Sequence, residues 1–556
     1  MHGVKLTGWR RWRRGARRAS ARTAFTLSAA AAFALTAGAA AAAHGPGPGA
    51  FAAGQWPVAG QNLSNTHDNA AEHQISPHNV GTLTPKWVLT TAGSVTATPT
   101  VFGGTVYVPD LGGKLWAVDA RTGTVRWSHT VASYTGIAGD VSRTSPAVYR
   151  DELVFGDGYI GNSVVAPAHV SAVNRHTGRL LWSTQVDSFP GSLITSSPVV
   201  YRGVVYVGIS SKEEALALGP GYQCCVFRAA IVALNAVTGK LLWKTYTLPS
   251  NNGGGDTNMP GFYSGGTAWG SAPVVDPRRG LLYIGTGNLY SAPAGVCTVP
   301  GQTGCTPPAP DAYFDSILAL RLSNGSVAWA DRTESSDVFT GVCLQPGAAS
   351  CGPDWDFSSS ANLFTTTNPA TGQREQLLGI GQKSGVYWAV NPANGHVAWR
   401  TQVGPGGVDG GIEWGSATDG TRIYVAEANS LHQPYTLVAG PDAGQTVTNG
   451  FWSALDAATG QILWQTPDPQ NTTDSGYVSA ANGVVYAGSM LGNMNALDAR
   501  TGTILWHFAS GGSVGSGAAI VGDTVYWGSG YNFSPTACPT GGCGPNNKLY
   551  AFAPAG

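Results

Sequence analysis

The sequence predicts an all-β protein, an eight-bladed β-propeller, and three observations support this. One eleven-residue phrase recurs seven times and always ends in tryptophan. A strand pair with a polar or glycine turn precedes most copies, as in SPVVYRGVVYVG. Glycine makes up 77 of 556 residues and charged residues only 11%, a composition that favours short strands and tight turns over helices.

Each copy of the phrase reads as strand, turn, strand. Ala-Leu or Ala-Val ends the first strand, a Thr-Gly or Asn-Gly pair makes a tight turn, and the next strand ends in Trp. Together with the preceding strand pair, each unit supplies four antiparallel strands, which is one propeller blade. The tryptophans are placed to dock between neighbouring blades. The copies are AVDARTGTVRW, AVNRHTGRLLW, ALNAVTGKLLW, ALRLSNGSVAW, AVNPANGHVAW, ALDAATGQILW and ALDARTGTILW.

The two ends of the chain supply the eighth blade. The C-terminal NKLYAFAPAG is a strand with no following Trp, and TPKWVLT near the N-terminus contains Trp87 without the strands that normally precede it. We expect these segments to pair. Their pairing closes the ring and removes the exposed sheet edge that would otherwise invite aggregation.

Residues 1–43 have the features of an export signal. An arginine-rich n-region is followed by an alanine-rich apolar run that ends in small residues before His44. An uncleaved anchor is the alternative. We expect residues 44–556 to form a single propeller domain without a membrane span, located in the periplasm, outside the cell or at the cell wall.

Charge and cysteine content restrict the function further. Without residues 1–43 the chain has 23 basic residues against 31 acidic ones, which argues against a nucleic-acid partner. The eight cysteines of an exported chain indicate disulfides. The close pairs are Cys224/Cys225, Cys297/Cys305, Cys343/Cys351 and Cys538/Cys543. No spacing suggests zinc, and no C-x-x-C-H motif for covalent haem is present.

Residues suited to a cofactor site occur between the repeats. The stretches are TSSPVVYRGVVYVGISSKEEA (195–215), TAWGSAPVVDPRRGLLYIGTGNLY (267–290) and PDAYFDSILAL (310–320). Arg143 and Lys383 add cations beside apolar strands in a chain poor in charge. Structural alternatives remain for each: a core aromatic for the Trp of TAW, a solvated Glu-Glu pair, and an Asx turn before the strand at 316.

These stretches, with GPDWDF, GQKSGVYWAV and GGIEWGS, resemble the quinoprotein alcohol dehydrogenases, propellers that carry pyrroloquinoline quinone (PQQ). The resemblance covers the whole predicted domain and is strongest to the polyvinyl alcohol dehydrogenase branch. The repeat alone is weaker evidence for a cofactor, because non-enzymatic propellers of the outer-membrane assembly type share it.

The resemblance implies roles for two of these stretches. Thr267 and Trp269 match a T-x-W motif that places a Trp beneath the quinone, and Asn288 matches a calcium ligand. Thr195 and Ser210 match cofactor contacts. Glu213 follows Ser210 at the spacing of a calcium-binding glutamate, with Glu214 as the neighbouring alternative.

The remaining implied residues concern the base and the cofactor's oxygens. Asp311 matches the catalytic aspartate beside the metal, although alanine replaces the asparagine that normally follows, and Asp315 is a second candidate. Arg143 and Lys383 match partners of the cofactor's anionic oxygens. Glu413 stands where many relatives have Asn, before Trp414. Cys224-Cys225 is either a lid over the quinone or a separate structural disulfide.

The expected function is therefore alcohol oxidation by hydride transfer to Ca²⁺-bound PQQ. Electrons would pass to a separate acceptor such as a cytochrome c. Two other classes remain open, a non-catalytic propeller that acts as a binding or assembly module, and a polysaccharide-binding, lectin-like propeller. The alcohol itself, whether polymeric, secondary or small and primary, is not determined.

Overall fold

The computed structural model describes residues 54–158, 165–270, 272–348, 351–531 and 544–555. The predicted export signal lies outside the described residues, as do Cys538 and Cys543. Within these ranges the chain forms 37 short β-strands, two single-turn α-helices and two 3-10 turns. Among the described residues, no helix is long and apolar enough to cross a membrane.

The strands are short, as the turn-rich composition predicts. The first twenty are β1 (Leu83–Thr90), β2 (Thr100–Phe102), β3 (Thr105–Pro109), β4 (Lys114–Asp119), β5 (Val125–Thr130), β6 (Ala147–Tyr149), β7 (Glu152–Gly156), β8 (His169–Asn174), β9 (Leu180–Gln185), β10 (Ser192–Leu193), β11 (Val199–Tyr201), β12 (Val204–Ser211), β13 (Ala230–Asn235), β14 (Leu241–Tyr246), β15 (Ser264–Gly265), β16 (Val274–Asp276), β17 (Leu281–Gly285), β18 (Leu289–Ser291), β19 (Ser316–Arg321) and β20 (Val327–Arg332). The others are β21 (Asn362–Thr367), β22 (Arg374–Gly381), β23 (Val386–Val390), β24 (Val397–Gln402), β25 (Ala417–Thr418), β26 (Arg422–Glu427), β27 (Tyr435–Thr436), β28 (Thr446–Val447), β29 (Phe451–Asp456), β30 (Ile462–Pro467), β31 (Val478–Ala481), β32 (Val484–Gly488), β33 (Asn493–Asp498), β34 (Ile504–Ala509), β35 (Ala518–Val521), β36 (Thr524–Ser529) and β37 (Lys548–Pro554). The helices are α1 (Ala132–Thr135) and α2 (Glu213–Leu216), and the 3-10 turns span Val80–Thr82 and Gly341–Leu344.

Eight antiparallel sheets form the blades. In chain order they are β2 to β5, β6 to β9, β11 to β14 with β10 added, β16-β17-β19-β20, β21 to β24, β25-β26-β29-β30, β31 to β34, and β35-β36-β37-β1. The first strands of the blades touch one another in a closed cycle, from β2 through β6, β11, β16, β21, β25, β31 and β35 back to β2. The predicted eight-bladed β-propeller is therefore confirmed.

The eighth blade joins the two ends of the described chain. β1 pairs antiparallel with β37, with Leu83 opposite Pro554 and Thr90 opposite Lys548. Trp87 lies within β1 and donates its indole N–H to the Ala120 carbonyl of the next blade, at 3.0 Å. The expected closure is confirmed, and it satisfies backbone groups that would otherwise be exposed at two sheet edges.

The repeated phrase acts as a joint between blades. Trp182, for example, donates its indole N–H to Ala236 O of the next blade at 2.8 Å. The motif glycine of that blade, Gly239, has φ +70°, and a Cβ added there would lie 2.5 Å from the Trp182 ring. Only glycine therefore fits both the left-handed turn and the approach of the neighbouring indole. This double requirement explains why the phrase keeps both its Gly and its Trp.

Residues 56–69 cross the first strands of the blades. This segment exchanges hydrogen bonds with seven of the eight blades, so it ties the ring together around its axis. The contacts are Trp56 with Val101, Val148 N to Pro57 O, Val275 N to Leu63 O, Leu363 N to Ser64 O, Thr418 N to Thr66 O, Ala480 N to His67 O, and Asn69 Nδ2 to Ile520 O.

Candidate functional site

A cavity opens at the end of the ring where the first strands of the blades begin. Residues just before β16, β21 and β25 line it together with residues just after β12 and β22. In an antiparallel blade, strand starts and neighbouring strand ends lie at the same end, so these segments converge. The empty volume, open mouth included, is about 1070 Å³. The polar and aromatic lining includes Ser210, Lys212, Glu214, Thr267, Trp269, Tyr290, Asp354, Asp356, Lys383, Asp409, Glu413 and Tyr531.

Lys383 is the central cation of this cavity. Its Nζ lies 3.0 Å from Asp354 Oδ2 and 3.3 Å from Asp356 Oδ2, and all three side chains are buried. Burial by itself would lower the pKa of Lys383, but Asp354 and Asp356 outweigh burial and raise that pKa well above its usual value. The ammonium is therefore kept charged inside the cavity.

Asp356 organises two further residues. Its Oδ2 accepts the indole N–H of Trp269 at 2.7 Å, and its Oδ1 accepts the backbone N–H of Asn288 at 2.6 Å. The side-chain amide of Asn288 donates to the carbonyls of Leu289 and Phe339, each at 2.9 Å. Because both amide hydrogens are used, the carbonyl oxygen of Asn288 has a fixed orientation.

Asp354 differs from Asp356 in having an oxygen to spare. Lys383 contacts its Oδ2, whereas no described residue hydrogen-bonds its buried Oδ1. Burial raises the pKa of Asp354 well above its usual value, and neighbouring acids including Asp356 add to the effect. The carboxylate is thus a stronger base than an exposed aspartate.

Two tryptophans shape the cavity. The Lys383 ammonium lies 5.1 Å from the centroid of the Trp269 ring, and Trp414 contacts Trp269 edge to face at 5.2 Å and 84°. Arg143 lies over the Trp414 ring at 4.4 Å. The hydroxyl of Thr195 donates to Trp269 O at 2.8 Å. The structure thus brings together the sequence-predicted residues Arg143, Thr195, Ser210, Thr267, Trp269, Lys383, Glu413 and Trp414.

Glu213 and Glu214 face in different directions. Glu213 is fully buried, and its carboxylate accepts four hydrogen bonds, from Tyr222 Oη, Val226 N, Phe227 N and Ser264 Oγ at 2.7–2.9 Å. Glu213 does not line the cavity, whereas Glu214 does. Of the two glutamates that the sequence left open as metal ligands, Glu214 is the one placed to reach a bound ion.

Asp311 and Asp315 are both outside the cavity lining. Asp311 is exposed in the turn before β19, so the structure does not bring it to the other predicted residues. Asp315 is fully buried, and no described residue hydrogen-bonds either of its carboxylate oxygens. Asp311 is outside the cavity for a local reason. Its side chain lies in the turn before β19 and is exposed to solvent there.

The acids that the sequence did not single out are Asp354, Asp356 and Asp409. The GPDWDF segment, which contributes to the family resemblance, supplies two of the five carboxyl groups in the cavity lining. A usable signal was present, since two aspartates one residue apart before a strand are unusual in a chain with so few charges. The same segment also places Trp355 between them.

Carboxyl groups outnumber cationic groups in the lining. Five carboxyl groups face the cavity with two lysines. Burial raises the pKa of Glu413 to about 8 and that of Glu214 to about 7, so an added cation would favour their ionised forms. Among the described residues, no three His, Cys, Asp or Glu side chains converge to hold a metal without help. The protein therefore offers a partial set of oxygen ligands, which suits a cation whose shell another molecule completes.

These raised pKa values predict a pH-dependent stability. Burial raises the pKa of Asp68 and of Glu334 to about 7, and that of Glu413 to about 8. An acid with a higher pKa in the folded state stabilises the fold below its unfolded pKa, and this contribution is lost as the pH rises through the folded pKa. Burial lowers the pKa of His67 from 6.5 to about 4. The stability contribution of His67 therefore rises with pH, but only below pH 6.5.

The free energy of unfolding of the cofactor-free protein should therefore fall from about pH 6.5 to pH 8. Denaturant unfolding at several pH values across this window measures the slope. Glu413→Gln should flatten the slope, because it removes one of the acids whose pKa burial raises. A free energy that rises with pH across the same window contradicts the prediction.

The predicted disulfides within the described chain are present. Cys297 pairs with Cys305, Cys343 with Cys351, and Cys224 with its neighbour Cys225. Cys225 is buried in an apolar cluster with Phe189 and Phe227 rather than in the cavity lining. This position favours the structural alternative for the adjacent pair.

The cavity residues fit a planar group that carries several negative charges. Trp269 supplies a flat aromatic surface, and Lys383 and Arg143 lie against the two tryptophan rings. The unpartnered Asp354 Oδ1 and the excess carboxylates fit a site that also receives a cation and a hydroxyl group. PQQ, a planar tricarboxylate, has this shape and charge.

Comparisons with known proteins place the chain in a family. A family model described as "Outer membrane protein assembly factor BamB" matches residues 6–221 and 382–530. A second, described as "Glucose/ethanol/alcohol dehydrogenase, beta-propeller domain", matches residues 184–405. A polyvinylalcohol dehydrogenase of a Pseudomonas species is 31% identical over 86% of this chain and 73% of the relative. One from a Sphingopyxis species is 31% identical over 80% of this chain and 65% of the relative.

A solved structure shows the same fold. The quinohemoprotein alcohol dehydrogenase of Pseudomonas putida superposes with a TM-score of 0.68 at 19% identity, covering 90% of this chain and 80% of that one. The chain thus shares the eight-bladed propeller fold of that dehydrogenase. The chain belongs to the family of PQQ-dependent quinoprotein alcohol dehydrogenases and is similar there to polyvinyl alcohol dehydrogenases.

Proposed function

We propose that this protein oxidises an alcohol with PQQ and Ca²⁺ held in the cavity. The observation that carries the proposal is the buried Asp354–Lys383–Asp356 cluster packed against the face of Trp269. When bound, PQQ accepts a hydride from the alcohol carbon, and Ca²⁺ polarises the carbonyl that receives it. All other steps belong to the side chains of this chain.

Binding and orientation are assigned to the aromatic and cationic residues. Trp269 provides the surface on which a planar ring system lies, and Asp356 holds that indole in place. Lys383 and Arg143 provide charge-assisted hydrogen bonds to anionic oxygens. Ser210 and Thr267 add hydroxyl groups to the lining.

The metal is assigned to Glu214 and Asn288. Calcium takes oxygen ligands, and Glu214 offers a carboxylate in the cavity lining. Asn288 is outside that lining but contacts the lining residue Asp356, and its amide oxygen has a fixed orientation. Glu213 is assigned a positioning role, because its own oxygens are already occupied. The cofactor's oxygens would complete the coordination.

The general base is assigned to Asp354. Its Oδ1 is buried without a hydrogen-bond partner among the described residues, so it can accept the hydroxyl proton of the alcohol. The raised pKa of Asp354 gives the carboxylate useful proton affinity. Lys383, which contacts the other oxygen, keeps this carboxylate oriented.

The substrate class, the electron acceptor and the location are proposed from the names of the relatives and from the sequence. The relatives named polyvinylalcohol dehydrogenases support a secondary or polymeric alcohol as substrate. Electrons would leave to a separate acceptor such as a cytochrome c, because the sequence has no haem-attachment motif. The apparent export signal supports a location in the periplasm, outside the cell or at the cell wall.

A non-catalytic assembly module is the alternative, and the match to the assembly-factor model favours it. That match follows the blade repeats and leaves residues 222–381 outside, which include Trp269, Asn288, Asp354 and Asp356. The match therefore includes Ser210, Glu214 and Lys383 of the cavity lining but not Trp269, Asp354 or Asp356, the residues that surround Lys383 there.

An absorbance spectrum tests the proposed function. The purified protein, reconstituted with PQQ and Ca²⁺, should show a bound-quinone spectrum that bleaches when butan-2-ol is added. A folded protein that binds no PQQ, or binds it without bleaching with any alcohol, would leave the assembly-module alternative as the better account.

The metal assignment has its own test. Glu214→Gln should weaken Ca²⁺ binding by at least roughly 10- to 100-fold. Loss of a residue that only supports a metal ligand already lowers metal affinity by that much. Calcium titration of activity and of intrinsic fluorescence measures the change, and Glu375→Gln, in β22 and outside both cavities, is the control. Wild-type calcium dependence in Glu214→Gln would remove Glu214 from the ligand set.

A further inference from the structure

A second cavity lies behind one wall of the first. The wall consists of residues 352–356 and 382–384. Asp354, Asp356 and Lys383 face the first cavity, whereas Pro353, Trp355, Gln382 and Ser384 face the second. Side chains of this wall alternate between the two sides, so a wall one chain thick serves both cavities.

The second cavity is lined by aromatic and polar side chains together. We call it the Trp355 groove and define it by Glu334, Trp355, Trp388, Arg400, Gln402 and Gln433. Trp355 is half-buried and firmly held, because its N–H donates to Asp337 Oδ2 at 2.8 Å and its carbonyl accepts from Gln382 Nε2 at 2.9 Å. The backbone that carries the indole is therefore held in place, and the half-buried ring lines the groove.

The groove offers both donors and acceptors. Within the described ranges, neither the Trp355 indole N–H nor the Arg400 guanidinium donates a hydrogen bond, although Arg400 lies 5.2 Å from the Trp388 ring. Gln402 uses its amide hydrogens on the carbonyls of Ser384 and Gly404, which leaves its side-chain oxygen as an acceptor. A hydroxyl group needs both kinds of partner, since it donates one hydrogen bond and accepts others.

The groove adjoins the first cavity. Val408 borders both, and the exposed Leu431 adds an apolar side chain to the groove. A carbon chain can therefore cross the rim at Val408 with its C–H groups on apolar and aromatic surface. Hydroxyl groups along that chain would meet the polar side chains.

From this arrangement we propose that the Trp355 groove binds a second segment of a polyhydroxylated carbon chain while another of its hydroxyls is oxidised in the first cavity. The inference rests on the proposed function and deepens it. It makes the substrate class a chain of alternating hydroxyl and methylene groups rather than a small alcohol, with Trp355 as a specificity-determining residue outside the reacting centre.

Steady-state kinetics of the holoenzyme test this proposal with two substrates, poly(vinyl alcohol) and butan-2-ol. Trp355→Ala should raise KM for the polymer about tenfold, as expected for an aromatic contact worth about 1.4 kcal/mol. Its kcat for the polymer and its KM for butan-2-ol should stay at wild-type values. Trp355→Phe should retain most of the polymer affinity, and Gln402→Ala should show a smaller rise of the same kind.

The outcomes separate the groove from the reaction. An unchanged polymer KM in Trp355→Ala, with butan-2-ol still oxidised, overturns the groove and leaves the proposed function intact. An equal rise in KM for both substrates also overturns it, because the substitution would then act through Asp354 and Asp356. If wild type oxidises neither substrate, the proposed function fails, and calorimetric titration of wild type and Trp355→Ala with poly(vinyl alcohol) still decides whether the groove binds a polyol.

Discussion

Asp354→Asn is expected to lower kcat for alcohol oxidation by about 10²- to 10⁴-fold, the usual contribution of a positioned general base. Asparagine keeps the shape of the side chain and can still accept a hydrogen bond from Lys383, so the cluster should remain assembled. What disappears is the proton affinity of Oδ1, which no described residue hydrogen-bonds. Rates with butan-2-ol and an artificial electron acceptor measure the effect, and the PQQ absorbance shows that the cofactor is still bound.

Asp311→Asn is the matched control for this prediction. It makes the same chemical change at the aspartate that the family resemblance implied as the base. Because Asp311 is exposed and outside the cavity lining, its substitution should leave kcat near the wild-type value. An inactive Asp311→Asn beside an active Asp354→Asn would reverse the assignment and require the turn before β19 to reach the cavity in the holoenzyme.

Glu213→Gln is expected to be the most destabilising single change proposed here. Four donors converge on the buried carboxylate, two of them backbone N–H groups. A glutamine amide would direct N–H groups at donors and leave at least one of them unsatisfied. We expect a loss of about 3 kcal/mol in the free energy of unfolding. Chemical denaturation of the cofactor-free protein measures it.

The neighbouring Glu214→Gln should change stability in the opposite direction. Burial raises the pKa of Glu214 to about 7, so a neutral amide removes the cost of a buried charge above that pH. Stability measured above pH 7 without calcium should therefore be equal to or higher than that of wild type. Equal losses in both variants would mean that the two carboxylates share one structural role.

Most of the fold was predictable because its determinants are local and repeated. A Thr-Gly or Asn-Gly turn followed by Trp specifies a joint between blades wherever it occurs, and seven copies leave only the eighth blade to the chain ends. The contact of Gly239 with Trp182 shows why the signal is strong, since the same residues fix the turn and the packing. Pairing of β1 with β37 then follows from the need to cover two sheet edges.

The candidate site was predictable only as a neighbourhood. Trp269, Lys383 and Trp414 lie together in the structure because they are next to strand ends that meet at one end of the ring. The sequence could not show which of Glu213 and Glu214 faces the cavity. Side chains of adjacent residues in a helical turn point roughly 100° apart around the helix axis, so only one of the two can face it. Nor could it show that Asp354 and Asp356 share Lys383, a contact made across separate loops.

The sequence alone therefore determined the architecture, the blade number, the closure of the ring and the family, since each depends on short patterns that carry their own geometry. Only the tertiary structure decided which carboxylates line the cavity, that Glu213 is saturated with hydrogen bonds, and that Trp355 opens into a second groove. These properties depend on how loops from different blades pack, and the direction of a single side chain in such a loop is set by contacts with residues far away in the chain.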